Sequence, residues 1–237
     1  MRSDMQRLQA VIFDLDGVIT DTAHFHFLAW RELAHSLGLP FDEAFNERLK
    51  GIDRMGSLAL ILAQGHKRYS EPEQQLLAAQ KNLHYQRLIE TMTADHLLPG
   101  ALEALVAVRA AGLKIGLASV SKNAAPVLDR LGIADRFDVV VDAARIQRSK
   151  PDPEIFLSAA QQLGVAPAAC LGVEDAVAGV QAIQAAGMFA LGVGDPAVLV
   201  QADEVIPGLQ AFRLERYLGP PTALACCAPP EGAAPSA

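Results

Sequence analysis

The 237-residue sequence predicts an α/β protein, a parallel sheet core interrupted by an all-helical insertion. Three observations lead there. From about residue 100 onward, apolar runs of four or five residues alternate with amphipathic stretches, the pattern of βαβ units. One further apolar run, Ala10-Val11-Ile12-Phe13, stands far upstream and ends at Asp14-Leu15-Asp16. Between them lies a block with few β-branched runs and many Ala, Leu, Gln, Glu and His, which reads as helix.

Taken in order, residues 10–14 form the first expected strand. The block from about 22 to 94 is divided into about four helices by Gly38-Leu39-Pro40, Gly51-Ile52-Asp53 and Ser70-Glu71-Pro72. Leu97-Leu98-Pro99-Gly100 closes it. A helix at 101–111 then leads to a strand at 114–118, and a helix at 123–131 to a strand at 137–141. Helices at 153–163 and 176–186 lead to strands at 169–173 and 189–193. The first strand belongs with the later sheet, so the helical block is an insertion after it. The expected domains are a Rossmann-like catalytic core (1–21 and 95–218), a helical cap (22–94) and a disordered Pro/Ala-rich tail (219–237).

Composition narrows the function classes. Half the residues are hydrophobic (51%), enough for a sizeable core. No run approaches the roughly 18 apolar residues of a membrane span, and Asp14 interrupts the N-terminal apolar stretch that a signal peptide would need. A formal net charge of −7 with no basic stripe argues against a nucleic-acid partner. Three cysteines, Cys170 in an expected strand and Cys226-Cys227 in the tail, make no disulfide framework. The expectation is a soluble, cytoplasmic, monomeric protein.

Two acidic blocks carry the chemistry. Asp14-Leu15-Asp16 and Glu174-Asp175 each follow an apolar strand run, and in a parallel sheet the strand carboxyl ends gather at one ligand-binding edge. Acids converging there repel one another and call for a cation. Mg²⁺ suits a few carboxylates plus phosphate and water oxygens. On an extended backbone Asp14 and Asp16 point the same way, so one can attack phosphorus while the other moves a proton. Gly17 then lets the chain turn. Each piece also has an ordinary structural reading: Asp-x-Asp-Gly ends many strands, Ser119 suits a helix cap, and Glu174-Asp175 suits a helix start.

Together, Asp14-Leu15-Asp16-Gly17-Val18-Ile19-Thr20-Asp21-Thr22, Ser119, Lys150 in Ser149-Lys150-Pro151, and Glu174-Asp175 resemble, in order, the four motifs of the haloacid dehalogenase superfamily. Asp14 through His26, Trp30, the segment from Phe45 to Gly51 and Ser119-Val120-Ser121-Lys122-Asn123 narrow the resemblance to its β-phosphoglucomutase family, over most of residues 10–195. The resemblance implies interconversion of β-D-glucose 1-phosphate and D-glucose 6-phosphate through an aspartyl phosphate on Asp14 and a hexose bisphosphate activator, with Asp16 as acid and base. It implies Mg²⁺ held by Asp14, the Asp16 backbone carbonyl, Glu174 and Asp175. Ser119, Val120, Ser121, Lys122, Asn123 and Lys150 would bind phosphate. Thr22, His26, Trp30, Gly51, Ile52, Arg54, Ser57 and Lys81 would meet substrate from the cap side, Arg54 gripping a distal phosphate. Two departures stand out: Val120 where a smaller residue is expected, and Asp53 where the family's cap loop often has Ser or Thr. The alternatives are a Mg²⁺-dependent sugar-phosphate phosphatase and a catalytically silent sugar-phosphate sensor.

Overall fold

A computed structural model of the chain describes residues 7–49 and 52–218. Six parallel strands form one sheet: β1 (Ala10–Phe13), β2 (Lys114–Leu117), β3 (Val139–Val140), β4 (Cys170–Glu174), β5 (Phe189–Val193) and β6 (Glu204–Ile206), in the spatial order β3-β2-β1-β4-β5-β6. The isolated upstream run is therefore a central strand, flanked on both sides by strands that lie a hundred or more residues later. All four β1 residues are buried because helices cover both faces. The pleat divides them. Val11 and Phe13 join the apolar cluster that includes Leu105, Val108 and Leu128, while Ala10 and Ile12 join the one that includes Ile155, Phe156 and Ile183.

Those helices are α5 (Ala101–Ala110) and α6 (Ala124–Leu131) on one face, and α7 (Glu154–Leu163) and α8 (Val177–Ala185) on the other. Four more precede them in the chain: α1 (Ala23–Ser36), α2 (Glu43–Glu47), α3 (Arg54–Leu62) and α4 (Glu71–Ile89). This helical block has a core of its own, built on Trp30, Leu33, Phe41, Leu58 and Ile61. It starts where its sequence punctuation says. Asp42 and Asp53 accept from backbone N–H groups in the first turns of α2 and α3, and the Glu73 carboxylate reaches back to the Ser70 N–H before α4 at 2.7 Å. Two chain segments join the block to the sheet side by side. Leu98 N–H donates to Ile19 C=O at 2.9 Å, and the Thr20 hydroxyl to His96 C=O at 2.7 Å.

Two elements differ from expectation. The strand expected at 137–141 is reduced to two residues at the sheet edge, because the Asp138 carboxylate substitutes for a main-chain acceptor: it takes the Ile115 N–H at 2.7 Å and also pairs with Arg109. β6 was not foreseen. Its three residues, Glu204-Val205-Ile206, are too short a run to show alternation. The tail expectation for 219–237, like Cys226-Cys227, lies outside the described residues. No helix among the described residues is long and apolar enough to cross a membrane.

Candidate active site

Sheet register builds the site. Phe13 pairs with Leu117 on one side and Val173 on the other, so the next residues of β1, β2 and β4 emerge together. Asp14 N–H donates to Val173 C=O at 2.9 Å, which sets the first acid beside Glu174. Asp14, Glu174 and Asp175 each bring a carboxylate oxygen within 4.8 Å of one another. Lys150 enters from the other side, its Nζ 2.7 Å from Asp14 Oδ1 and 2.6 Å from Glu174 Oε1. One ammonium among three acids leaves negative charge in excess. Burial pushes Asp14 up to about 7 against the pull of Lys150, with Glu174 adding to the rise; burial, then Glu174 and Asp14, push Asp175 up to about 8. Burial opposes the charge on Lys150, but Asp14 and Glu174 more than offset it and hold the ammonium protonated.

Two glycines make room for the acids. Gly17, at φ 76°, lies so close to Asp175 that a Cβ there would sit 2.0 Å from Oδ2. Gly179 on α8 faces Glu174 in the same way, with a Cβ position 1.9 Å from Oε1. The other Glu174 oxygen accepts from Ala176 N–H at 2.7 Å. This donor set is all carboxylate oxygen, with Asp14 and Glu174 buried and Asp175 partly open to solvent, and it fits a hard divalent cation.

β1 ends at Phe13, and after a bend at Leu15 a bridge pairs Asp16 with Thr20. Asp16 accepts from both the backbone N–H (3.1 Å) and the hydroxyl of buried Thr22, and its charge adds to the rise at Asp14 and Asp175. Burial raises its pKa while these two donors resist the rise.

On the sheet side, Ser119 Oγ accepts from Ser121 N–H at 3.1 Å, and Ser121 Oγ from Asn123 N–H at 3.2 Å. The loop is thereby folded back on itself, with Lys122 exposed. Val120 rests on the apolar cluster under α7, so the bulk that departs from the family pattern is taken up by packing. The Asn123 side chain is engaged by α4: its Nδ2 donates to Asn82 Oδ1 at 2.9 Å, and its Oδ1 accepts from Gln86 Nε2 at 3.2 Å.

Facing this edge from the helical block are two basic side chains, Lys81 and Arg54, with the His26 imidazole beside them. Lys81 Nζ lies 2.7 Å from His26 Nδ1 and over the rings of Trp30 and Tyr85, 4.5 and 4.9 Å from their centroids. His26 stacks on Tyr85 at 4.1 Å. Burial, followed by the charge of Arg54, brings Lys81 down to about 7. Burial, Lys81 and Arg54 hold His26 well below the ordinary imidazole value. Arg54 opens α3, half-buried, and is itself lowered by burial. Crowded, partly desolvated positive groups of this kind gain most from an incoming anion.

The remaining expected residues are less central here. Ser57 is buried, with its hydroxyl 3.4 Å from Ile52 C=O, and Ile52 itself is exposed. Asp53, the second departure, uses its charge to cap α3, accepting from Met55 and Gly56 N–H. Gly51 lies outside the described residues. Sequence reasoning missed Tyr85, Asn82, Gln86 and Gly179. Tyr85 was traceable, since it follows Lys81 by one helical turn; the other three carry no such signal.

Comparison with known proteins agrees with this geometry. The haloacid dehalogenase-like hydrolase family matches residues 8–187. The chain is 49% identical over 210 residues to a β-phosphoglucomutase of Bacillus subtilis (strain 168), spanning 88% of this chain and 93% of that one. It is 34% identical over 192 residues to a fructose-1-phosphate phosphatase of Escherichia coli (strain K12), spanning 79% and 97%. The crystal structure of a β-phosphoglucomutase from Clostridium difficile superposes with a TM-score of 0.84 at 48% identity, over 88% of this chain and 95% of that one. With its acids on the central strands of a parallel sheet and its helical insertion following the first of them, the chain belongs to the haloacid dehalogenase-like hydrolase family.

Proposed function

We propose that this enzyme is a phosphomutase that interconverts β-D-glucose 1-phosphate and D-glucose 6-phosphate. The observation that carries the reading is the 49% identity to a β-phosphoglucomutase across nearly its whole length, insertion included. The grouping of Arg54 and Lys81 around His26 supports it, because a bisphosphate spanning core and cap needs a second anion site.

In the first half-reaction an Asp14 carboxylate oxygen attacks phosphorus of a hexose 1,6-bisphosphate. The bond from phosphorus to the sugar oxygen breaks, and Asp16 gives that oxygen a proton. In the second, the 6-hydroxyl of an incoming β-D-glucose 1-phosphate attacks the aspartyl phosphate, Asp16 takes its proton, Asp14 is released, and the 1,6-bisphosphate so formed reorients to give up its 1-phosphate in the next turn. Asp14, Glu174, Asp175 and the Asp16 carbonyl would hold Mg²⁺, which when bound would supply positive charge against the repulsion between nucleophile and phosphate. Lys150 does the same from the protein, already placed on Asp14. Ser119, Ser121 and Lys122 orient the phosphoryl oxygens. Asp16, tied to Thr22, is released toward substrate when the sugar arrives, which limits loss of the phosphoryl group to water.

The test is to incubate pure protein with Mg²⁺, β-glucose 1-phosphate and a trace of the 1,6-bisphosphate, following glucose 6-phosphate and free phosphate together. Glucose 6-phosphate without matching phosphate is expected. Stoichiometric phosphate release without isomerised sugar makes the enzyme a phosphatase and overturns the proposal.

A further inference from the structure

Asn123 sits at the start of α6, where an Asn side chain ordinarily accepts from N–H groups of the first helical turn. Here it makes no such bond. Both ends of its amide are taken by α4: Asn82 accepts from Nδ2 at 2.9 Å and Gln86 donates to Oδ1 at 3.2 Å. Asn82 and Gln86 lie one turn apart on that helix, and Asn123 is 4% exposed. Asn82 directly follows Lys81, whose ammonium reaches His26 from the adjoining face of α4. One turn of helix therefore touches both Asn123, at the end of the 119–123 loop, and His26 on α1.

We propose that Asn82 and Gln86 are positioning residues that clasp Asn123, so that docking of α4 and alignment of the phosphate loop occur as one event. This rests on the phosphomutase reading above. Asn123 is the core's half of the clasp, one residue beyond Lys122 at the end of the phosphate loop. A sugar phosphate that must reach both core and cap depends on the clasp, whereas a small donor that fits beside Asp14 does not.

The experiment compares the full-length enzyme with Asn82→Ala and Gln86→Ala, each also made in an Asn123→Ala background. Turnover of acetyl phosphate, which has no sugar to span the two lobes, should stay within about twofold of wild type. For β-glucose 1-phosphate, KM and the free phosphate released per glucose 6-phosphate formed should each rise about five- to tenfold, as expected for loss of one buried hydrogen bond. In the Asn123→Ala background, neither further substitution should add to the effect. Unchanged sugar-phosphate kinetics in both variants, or a parallel loss on acetyl phosphate, would overturn the clasp. If wild type proves to be a phosphatase, the phosphomutase reading fails separately, and the ratio of sugar-phosphate to acetyl phosphate turnover still judges the clasp.

Discussion

Gly179 offers the sharpest test of how the acidic site is held. It lies in the first turn of α8, and a methyl group added there would meet Glu174 Cδ and Oε1 at 1.9 Å and Cγ at 2.5 Å. No rotation of a methyl relieves such an overlap, so Gly179→Ala must displace the Glu174 carboxylate. That carboxylate is 1% exposed, 2.6 Å from Lys150 Nζ and 2.7 Å from Ala176 N–H. Breaking a buried pair of this type costs about 3–5 kcal/mol. Alanine's better helix propensity returns about 1 kcal/mol. The net expectation is a destabilisation of about 2–4 kcal/mol, read as a shift of the urea midpoint at constant m-value. Titration calorimetry should show weaker Mg²⁺ binding in the same variant. In a Glu174→Ala background the added methyl has nothing to strike, and its cost should vanish or turn slightly favourable. Equal destabilisation in both backgrounds would place the strain somewhere other than Glu174 and refute the reasoning.

Three more outcomes are expected. Lys150→Met leaves Asp14 and Glu174 buried without the ammonium both now contact, and urea unfolding should show a loss of about 3–5 kcal/mol together with loss of turnover; a loss below about 1 kcal/mol would contradict the buried pairing. Lys81→Met exchanges a desolvated ammonium among other positive groups for a side chain of similar length, so stability near pH 7 should rise by about 1–2 kcal/mol while KM for sugar phosphate climbs; a variant both less stable and unimpaired would contradict the cluster's role. Metal and pH are linked. Folded Asp14 and Asp175 keep protons up to about 7 and about 8, protons that the unfolded chain releases near 3.8. Metal-free stability should therefore decline as pH rises from about 4 through 8, and a cation that needs both groups ionised recovers the loss. The melting-temperature gain on adding Mg²⁺ should be larger at pH 8 than at pH 6, and an equal gain would count against these carboxylates as ligands.

Much of the sheet side was legible because a parallel sheet converts sequence position into spatial position. β1, β2 and β4 are short, mostly apolar runs with polar residues at or just beyond their carboxyl ends, and the fold brings such strand ends to one edge whatever lies between. Asp14, Ser119 and Glu174 could thus be placed together before any contact was known. The same logic failed at the margins. β3 shortens because the side chain of Asp138 replaces a backbone acceptor, and β6 is too brief to register as a pattern. The pairing of Asp16 with Thr22 likewise carries no periodic signal, since it joins two residues across the turn that follows β1.

The helical side resisted for a different reason. A helix presents residues around its whole circumference, and which of them function depends on what each face meets. α4 shows this directly: Lys81 and Tyr85 turn toward His26 on α1, while Asn82 and Gln86 turn toward Asn123 on the sheet domain. In sequence these four are ordinary residues of a polar helix, and the fold leaves Lys81 only 3% exposed. Their roles follow from the crossing of α4 over α1 and from the paired segments at Thr20 and Leu97 that set the helical block against the sheet. Strand ends specify which bond can be made and broken, and helix faces specify which molecule is held there. That division fits a chain whose relatives include both a phosphoglucomutase and a fructose-1-phosphate phosphatase. Choice between sugar and water as the acceptor should accordingly respond more to substitutions on α1, α3 and α4 than to conservative changes around Asp14, which should alter the rates of both reactions together.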